Sequence, residues 1–253
     1  MLLNRRTLIG ALAGGAIADL GRSAGAQQSV AGALDAFVSV DDYPNPQAAL
    51  DAALNVRFSS KTYVVEELRP REGSVLLFDD TVLVFPRAPS RQSLILLGGG
   101  SGTRPMGPYR MMGSLTLASE FGAGKLLRGI YLLGARDVDL SALAISGAGF
   151  DDGYLVHIAA SYAARPVNSQ SVSVANVTSR GGWGAVAATG CDGLIASNLE
   201  AVGGDEAALV LETDVGRGRV SNVAASGLRG RNGANGLHCV AHGGSGEGVF
   251  ARA

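Results

Sequence analysis

Four short segments in the second half of this chain repeat one pattern: Leu140-Ser141-Ala142-Leu143, Val174-Ala175-Asn176-Val177, Ala196-Ser197-Asn198-Leu199 and Val220-Ser221-Asn222-Val223. Their third residues lie 34, 22 and 24 positions apart. The wide first gap reads as one period plus an insertion around Ser161 to Gln170. Each segment alternates apolar and small polar residues, then runs through Gly or Ser into a further apolar strand. A unit of twenty-odd residues cannot bury a face by itself, so successive units must stack on one another.

From Gly129 onward each unit opens on an apolar stretch, at residues 129–133, 153–158, 184–187, 208–211 and 236–240. Helical periodicity is absent there. Several short β segments within a period of 22 to 24 residues predict an all-β chain, a right-handed parallel β-helix. The fixed leucine spacing of a leucine-rich repeat is not present. Asn176, Asn198 and Asn222 are expected to stack at one corner, where amides satisfy one another and the turn backbone. Upstream, residues 27–57 read as a lead-in and a capping helix over Gln47 to Asn55, with Asn45 as its cap and Pro46 at the first position. The β-helix body is expected over 58–253, starting with strands at 61–65, 74–78, 81–85 and 93–97. Residues 98–108 and the following Tyr109 to Met112 read as a loop or excursion. The glycine run at 98–102 lacks the Gly-Lys-Ser/Thr ending and following helix of a phosphate loop.

The first 26 residues form an export signal: Arg5-Arg6, a weakly apolar run to Leu20, and Ala24-Gly25-Ala26 before Gln27. The arginine pair followed by Leu8 resembles a twin-arginine signal, which carries folded proteins. The mature protein is therefore expected in the periplasm or secreted, with no membrane contact once the signal is removed. A net charge of −1 gives no general field for nucleic acid. Cys191 and Cys239 lie about two periods apart, beyond disulfide reach if each coil rises by about 5 Å. Both are expected to be free, buried and inward-facing. After Cys239 the sequence shows no polar helix or strand to close the last coil. That predicts an incomplete C-terminal end, or self-association through an uncapped coil.

The helix Gln47 to Leu54, followed by Phe58-Ser59-Ser60-Lys61-Thr62-Tyr63-Val64-Val65, resembles the capping helix and first coil of the pectate-lyase-like superfamily. Ser60-Lys61 stands where that superfamily usually has Pro-Gly. The arginine pair, the coil from Ala135 to Leu143 and the later Asn-Gly pairs look like twin-arginine-exported repeat proteins of unassigned function. The resemblance implies a fold; the superfamily holds lyases, glycosidases, epimerases, esterases and non-catalytic adhesins.

Aligning the repeat brings one turn into view, just before each apolar strand. It carries Asp151-Asp152, then Gly181-Gly182-Trp183, then Asp205-Glu206, and last Arg229, Arg231, Asn232 and Asn235. In register, these residues form one column stepping by about 5 Å. Asp151, Asp152, Asp205 and Glu206 are the candidate catalytic carboxylates, since paired acids separate into acid and base roles when their environments differ. Trp183, the single tryptophan, is a candidate sugar platform, and Arg229 or Arg231 a clamp for a uronate carboxylate. Asp, Asn and Gly are also the ordinary residues of tight turns. His157 reads as a satisfied strand residue. No metal site or cofactor motif is found, because His238 and His242 lack the one-face geometry of a ligand pair. The expected function is binding, with cleavage of lyase or hydrolase type as the enzymatic form, of a polysaccharide or oligosaccharide. The alternatives are a non-catalytic scaffold or adhesion module, or a cofactor-binding repeat protein.

Overall fold

The computed structural model describes residues 36–86, 91–99, 103–119, 127–148, 153–214 and 218–242. The expected export signal at residues 1–26 and Asp151-Asp152 lie outside these residues. In chain order come β1 (Val38–Ser39), a 3-10 turn (Val40–Asp42), α1 (Pro46–Ala52), β2 (Asn55–Phe58), β3 (Thr62–Val64), β4 (Val75–Phe85), β5 (Ser93–Gly98), β6 (Tyr109–Ser119) and β7 (Leu127–Leu133). Then follow β8 (Arg136–Ala148), β9 (Gly153–Ala159), β10 (Ser169–Arg180), β11 (Gly184–Ala188), β12 (Cys191–Val202), β13 (Ala207–Asp214), β14 (Val220–Arg231) and β15 (Asn235–His242).

Among the described residues these strands form two all-parallel sheets. One runs β1-β2-β4-β6-β8-β10-β12-β14, with β3 beside β4; the other runs β5-β7-β9-β11-β13-β15. From β4 on, successive strands alternate between the sheets, so each circuit adds one strand to both. Apolar side chains from the two inner faces meet between them, led by Phe58, Phe78, Phe85, Leu83, Leu94 and Met111. At the N-terminal end the Asn45 side chain accepts from the Ala48 amide at 3.0 Å and Pro46 opens the helix, as the sequence predicts. Gln47 latches α1 to the chain beyond β3: its Oε1 accepts from the Arg69 amide at 2.9 Å.

Beside it, Asp41 accepts from the Lys61 ammonium, the Ser59 hydroxyl at 2.6 Å and the Tyr63 hydroxyl at 2.9 Å. These bonds, Lys61 first, hold its carboxyl at about 2 against an ordinary 3.8. A depressed carboxylate stabilises the fold above its unfolded value and loses that contribution as pH falls through the folded one. The acid shoulder of the thermal midpoint is therefore expected between those two values, and Lys61→Met is expected to flatten it.

The long strands bend at residues with left-handed backbone, and these form two columns. One holds Asp137, Ser171, Gly193 and Asn222; the other holds Asn176, Asn198 and Gly227. Asn198 donates to the Asn176 Oδ1 at 2.7 Å, so those two amides stack as expected. Asn222 does not join them. β12 and β14 pair with Asp192 opposite Ser221 and Ser197 opposite Ser226, a step of 29 rather than 24 residues. Asn222 therefore sits over Gly193 and bonds Asp192 Oδ1 at 2.6 Å. Replacing Asn198 tests this register. Asn198→Gly should leave unfolding free energy within about 0.5 kcal/mol, because glycine already occupies the next step of the column, whereas Asn198→Ala should cost about 1–2 kcal/mol in a urea titration.

Three further expectations change. Tyr109 to Met112 is no excursion but the start of β6, because Tyr109 and Met111 are inward-facing core residues. The strands expected at 74–78 and 81–85 are the single strand β4, turned at Asp80 (φ 48). Both cysteines are free, but only Cys191 is buried. Cys239 is exposed, since its strand β15 is the last of its sheet among the described residues. Burial pushes the Cys191 thiol up to about 12, which keeps it inert. The insertion falls where the sequence put it: residues 160–168 join β9 to β10, against 189–190 between β11 and β12.

Candidate functional site: an aromatic cleft on the outer sheet face

The strands β7, β9, β11 and β13 share a kink that sets the site. Leu155 and Val156 both enter the main core, as do Ala185 with Val186 and Ala208 with Leu209. Two successive residues point inward, so the outward residues on either side are three apart rather than two. Two outward rows result. Arg128, Tyr154, Gly184, Ala207 and Asn235 lie abreast in one, and Tyr131, His157, Ala187, Val210 and His238 in the next. The outward side chains form apolar clusters separate from the main core, with Trp183 packed on the edge of one.

This face is the floor of a cleft of about 730 Å³. The loop 160–168 walls it through Ser161, Tyr162, Ala163 and Pro166, and the turn corner supplies Trp183 and Glu206. The corner is a continuous ladder. The Trp183 amide donates to the Gly153 carbonyl at 3.0 Å, the Glu206 amide to the Trp183 carbonyl at 3.0 Å, and the Asn235 amide to the Glu206 carbonyl at 2.8 Å. The column drawn from the sequence is thus in register for these residues.

Its other members are placed differently. Asp205 stands on the same corner but is exposed and outside the cleft lining. Arg229 and Arg231 belong to β14 rather than the turn. Arg229 lies opposite Glu200, and the Arg231 Nε is bonded to Glu200 Oε1 at 2.8 Å. Of the sequence-derived set, Trp183 and Glu206 line the cleft. Sequence reasoning missed Arg128, Tyr131 and Tyr154. The one available signal was an aromatic or charged residue recurring at the same place in successive apolar strands, and the kink hides it from a period-two search.

Inside the cleft the polar groups form a chain. Arg128 Nε donates to His157 Nδ1 at 2.8 Å, and the far ring nitrogen lies 3.1 Å from Thr189 Oγ1. With Nδ1 accepting, the proton sits on Nε2 and is donated to Thr189. Burial first, then the adjacent guanidinium, pushes His157 down to about 3, so the ring stays neutral and works as an orienting acceptor, not as an acid. This agrees with its reading as a satisfied strand residue. Tyr154 donates its hydroxyl to Glu206 Oε2. Burial and that carboxylate together push the Tyr154 phenol far up, so it remains a donor. Its ring meets His157 and Trp183 edge-on, each at 5.6 Å. Tyr131 lies under the Arg128 guanidinium at 4.4 Å and shares a 2.6 Å hydroxyl contact with Tyr162. Among the described residues no group of three His, Cys, Asp or Glu side chains is gathered as a metal site.

The chain matches no family model, no curated protein and no solved structure.

Proposed function

We propose that the chain is an exported right-handed parallel β-helix, of the pectate-lyase-like kind, that binds a polysaccharide in the cleft on its second sheet. The alternation of successive strands between two parallel sheets supports the fold. The observation that carries the function is the set of rings around the cleft: Tyr131, Tyr154, Tyr162 and Trp183 present apolar edges and faces beside a small number of fixed polar groups. That composition, in a cleft of this size, suits a small or chain-like polar ligand with apolar faces, which is what a sugar ring offers. Glu206 and Tyr154 are the candidate reacting groups. The phenol holds the Glu206 carboxyl at a fixed position, while burial first and the facing carboxyl second make the phenol a poor acid.

Trp183 is the chain's single tryptophan, so its emission reports the cleft directly. Titration with acidic and neutral polysaccharides should give a saturable shift of that emission for at least one of them. Product should be followed by reducing ends and by the ultraviolet absorbance of unsaturated sugars. Glu206→Gln should lower any turnover by about 100-fold or more with little change in binding. Saturable binding without product would make the chain a binding module. A panel that leaves Trp183 emission unmoved would sink the reading.

A further inference from the structure

We infer that Asn232 is a site of spontaneous deamidation, and that of the chain's two Asn-Gly pairs the fold leaves this one reactive and protects the other. The pairs are Asn232-Gly233 and Asn235-Gly236. A glycine after asparagine leaves the next amide nitrogen unshielded by a side chain. That nitrogen gives its proton to hydroxide or a buffer base and bonds to the asparagine Cγ. The bond from Cγ to the side-chain nitrogen breaks, and the leaving group takes up a proton and departs as ammonia. Water then opens the five-membered imide. Opening at Cγ gives aspartate; opening at the main-chain carbonyl gives isoaspartate, with the chain routed through Cγ. Water is the sole co-reactant, and nothing is oxidised or reduced.

Ring closure requires the peptide between the two residues to swing until the glycine nitrogen meets Cγ. Asn232 and Gly233 are both exposed and form the middle of the turn between β14 and β15, with φ of 55° and 101°. Asn-Gly is the ordinary occupant of a turn with two positive φ values. The Ala234 amide closes this turn on the Arg231 carbonyl at 3.3 Å, a long bond. A Cβ at Gly233 would meet nothing within 4 Å. Asn235 has the same successor in sequence but a different setting in space. Its amide donates to the Glu206 carbonyl at 2.8 Å, and it lies opposite Ala207 in the ladder of β13 and β15. Its carbonyl carbon, an atom of the imide ring, is packed on the backbone of β14: a Cβ at Gly230 would stand 2.3 Å from it. Swinging that peptide means opening the strand first, and reaction through a rare open state is slowed by the scarcity of that state. The asparagines at the other left-handed corners, Asn176, Asn198 and Asn222, precede Val177, Leu199 and Val223, each a buried core side chain. Deamidation places a carboxylate one residue from Arg231, whose Nε is bonded to Glu200. As isoaspartate it also adds a backbone carbon to the turn that leads into β15.

The test holds the full chain in mildly alkaline buffer, folded in one sample and unfolded by urea in the other. Mass spectrometry follows the peptide that starts at Asn232, and fragmentation locates the new carboxyl group. In the folded chain Asn232 should convert at least about 10-fold faster than Asn235. In urea the two should convert at similar rates, since both precede glycine. Conversion at Asn232 should slow in mildly acidic buffer, where less of the attacking nitrogen is deprotonated. Both sites are read in one wild-type molecule, so no folding defect of a variant enters. Conversion of Asn235 in the folded chain at the rate of Asn232 or faster overturns the inference. So does an Asn232 that stays intact when folded and converts in urea. An equal bias in urea overturns it as well, because the fold would then not be its source.

Discussion

Gly184→Ala is expected to cost about 3 kcal/mol of stability and to abolish ligand binding in whatever protein still folds. A Cβ at this position would stand 2.2 Å from the Ala207 carbonyl oxygen and 3.3 Å from its carbon. Both atoms are backbone, so the contact cannot be relieved by a rotamer change. The ladder between β11 and β13 would have to open. That ladder sets the spacing of Trp183 and Glu206, which flank Gly184 and Ala207 along the chain. Urea titration gives the stability, and Trp183 emission gives the state of the corner. The control is Gly181→Ala. Nothing lies within 4 Å of a Cβ there, and only the φ of +75° opposes it, so about 1–2 kcal/mol is expected. If the two variants lose equal stability, the close approach of the strands at Gly184 does not hold.

Phe78→Ala should cost about 3–5 kcal/mol, the loss typical of a large ring removed from a core that cannot collapse around the hole. Phe78 is fully buried and stacks on Phe58 with centroids 4.9 Å apart. Phe58 in turn meets Tyr63 edge-on at 5.6 Å. The three rings bind the first circuits to the turn that holds Asp41. Because a stacked repeat transmits stability chiefly between neighbours, the folded fraction of this variant should keep wild-type Trp183 emission and ligand affinity. A variant that is as stable as the wild type would show that this end of the core contributes little.

Much of the backbone plan was legible because single residues have single uses. Asn45-Pro46 marks a helix start, and the stretches at 129–133, 153–158 and 184–187 can only be strands. Trp183 and Glu206 were placed on one corner by simple alignment, and the structure puts them there. The register of the last repeat was not legible, because a left-handed corner is satisfied by Asn, Gly, Ser or Asp alike. Asn222 marks a corner correctly, but its letter does not say which of two columns it belongs to. The hydrogen bonds across Asp192 and Ser221 decide that. The floor of the cleft was hidden for a different reason. Arg128 and Tyr131 are three residues apart, and so are Tyr154 and His157. A reading in steps of two assigns one of each pair to the core. Only the paired inward residues at the kink put both on the same outer face.

The loop 160–168 enters between two strands, and the ladder then resumes with Ser169 opposite Cys191. Its ends are tied within the loop by the Ser161 amide to the Val167 carbonyl at 2.9 Å, and two strands along the sheet by the Asn168 side chain to the Arg219 backbone. Such a segment is a cassette. It can be lengthened, shortened or exchanged at the price of little but loop entropy, which rises slowly with length. The wall of the cleft can therefore vary in length while the parallel ladders beneath persist, and the Tyr131–Tyr162 hydroxyl contact at 2.6 Å would be traded with it.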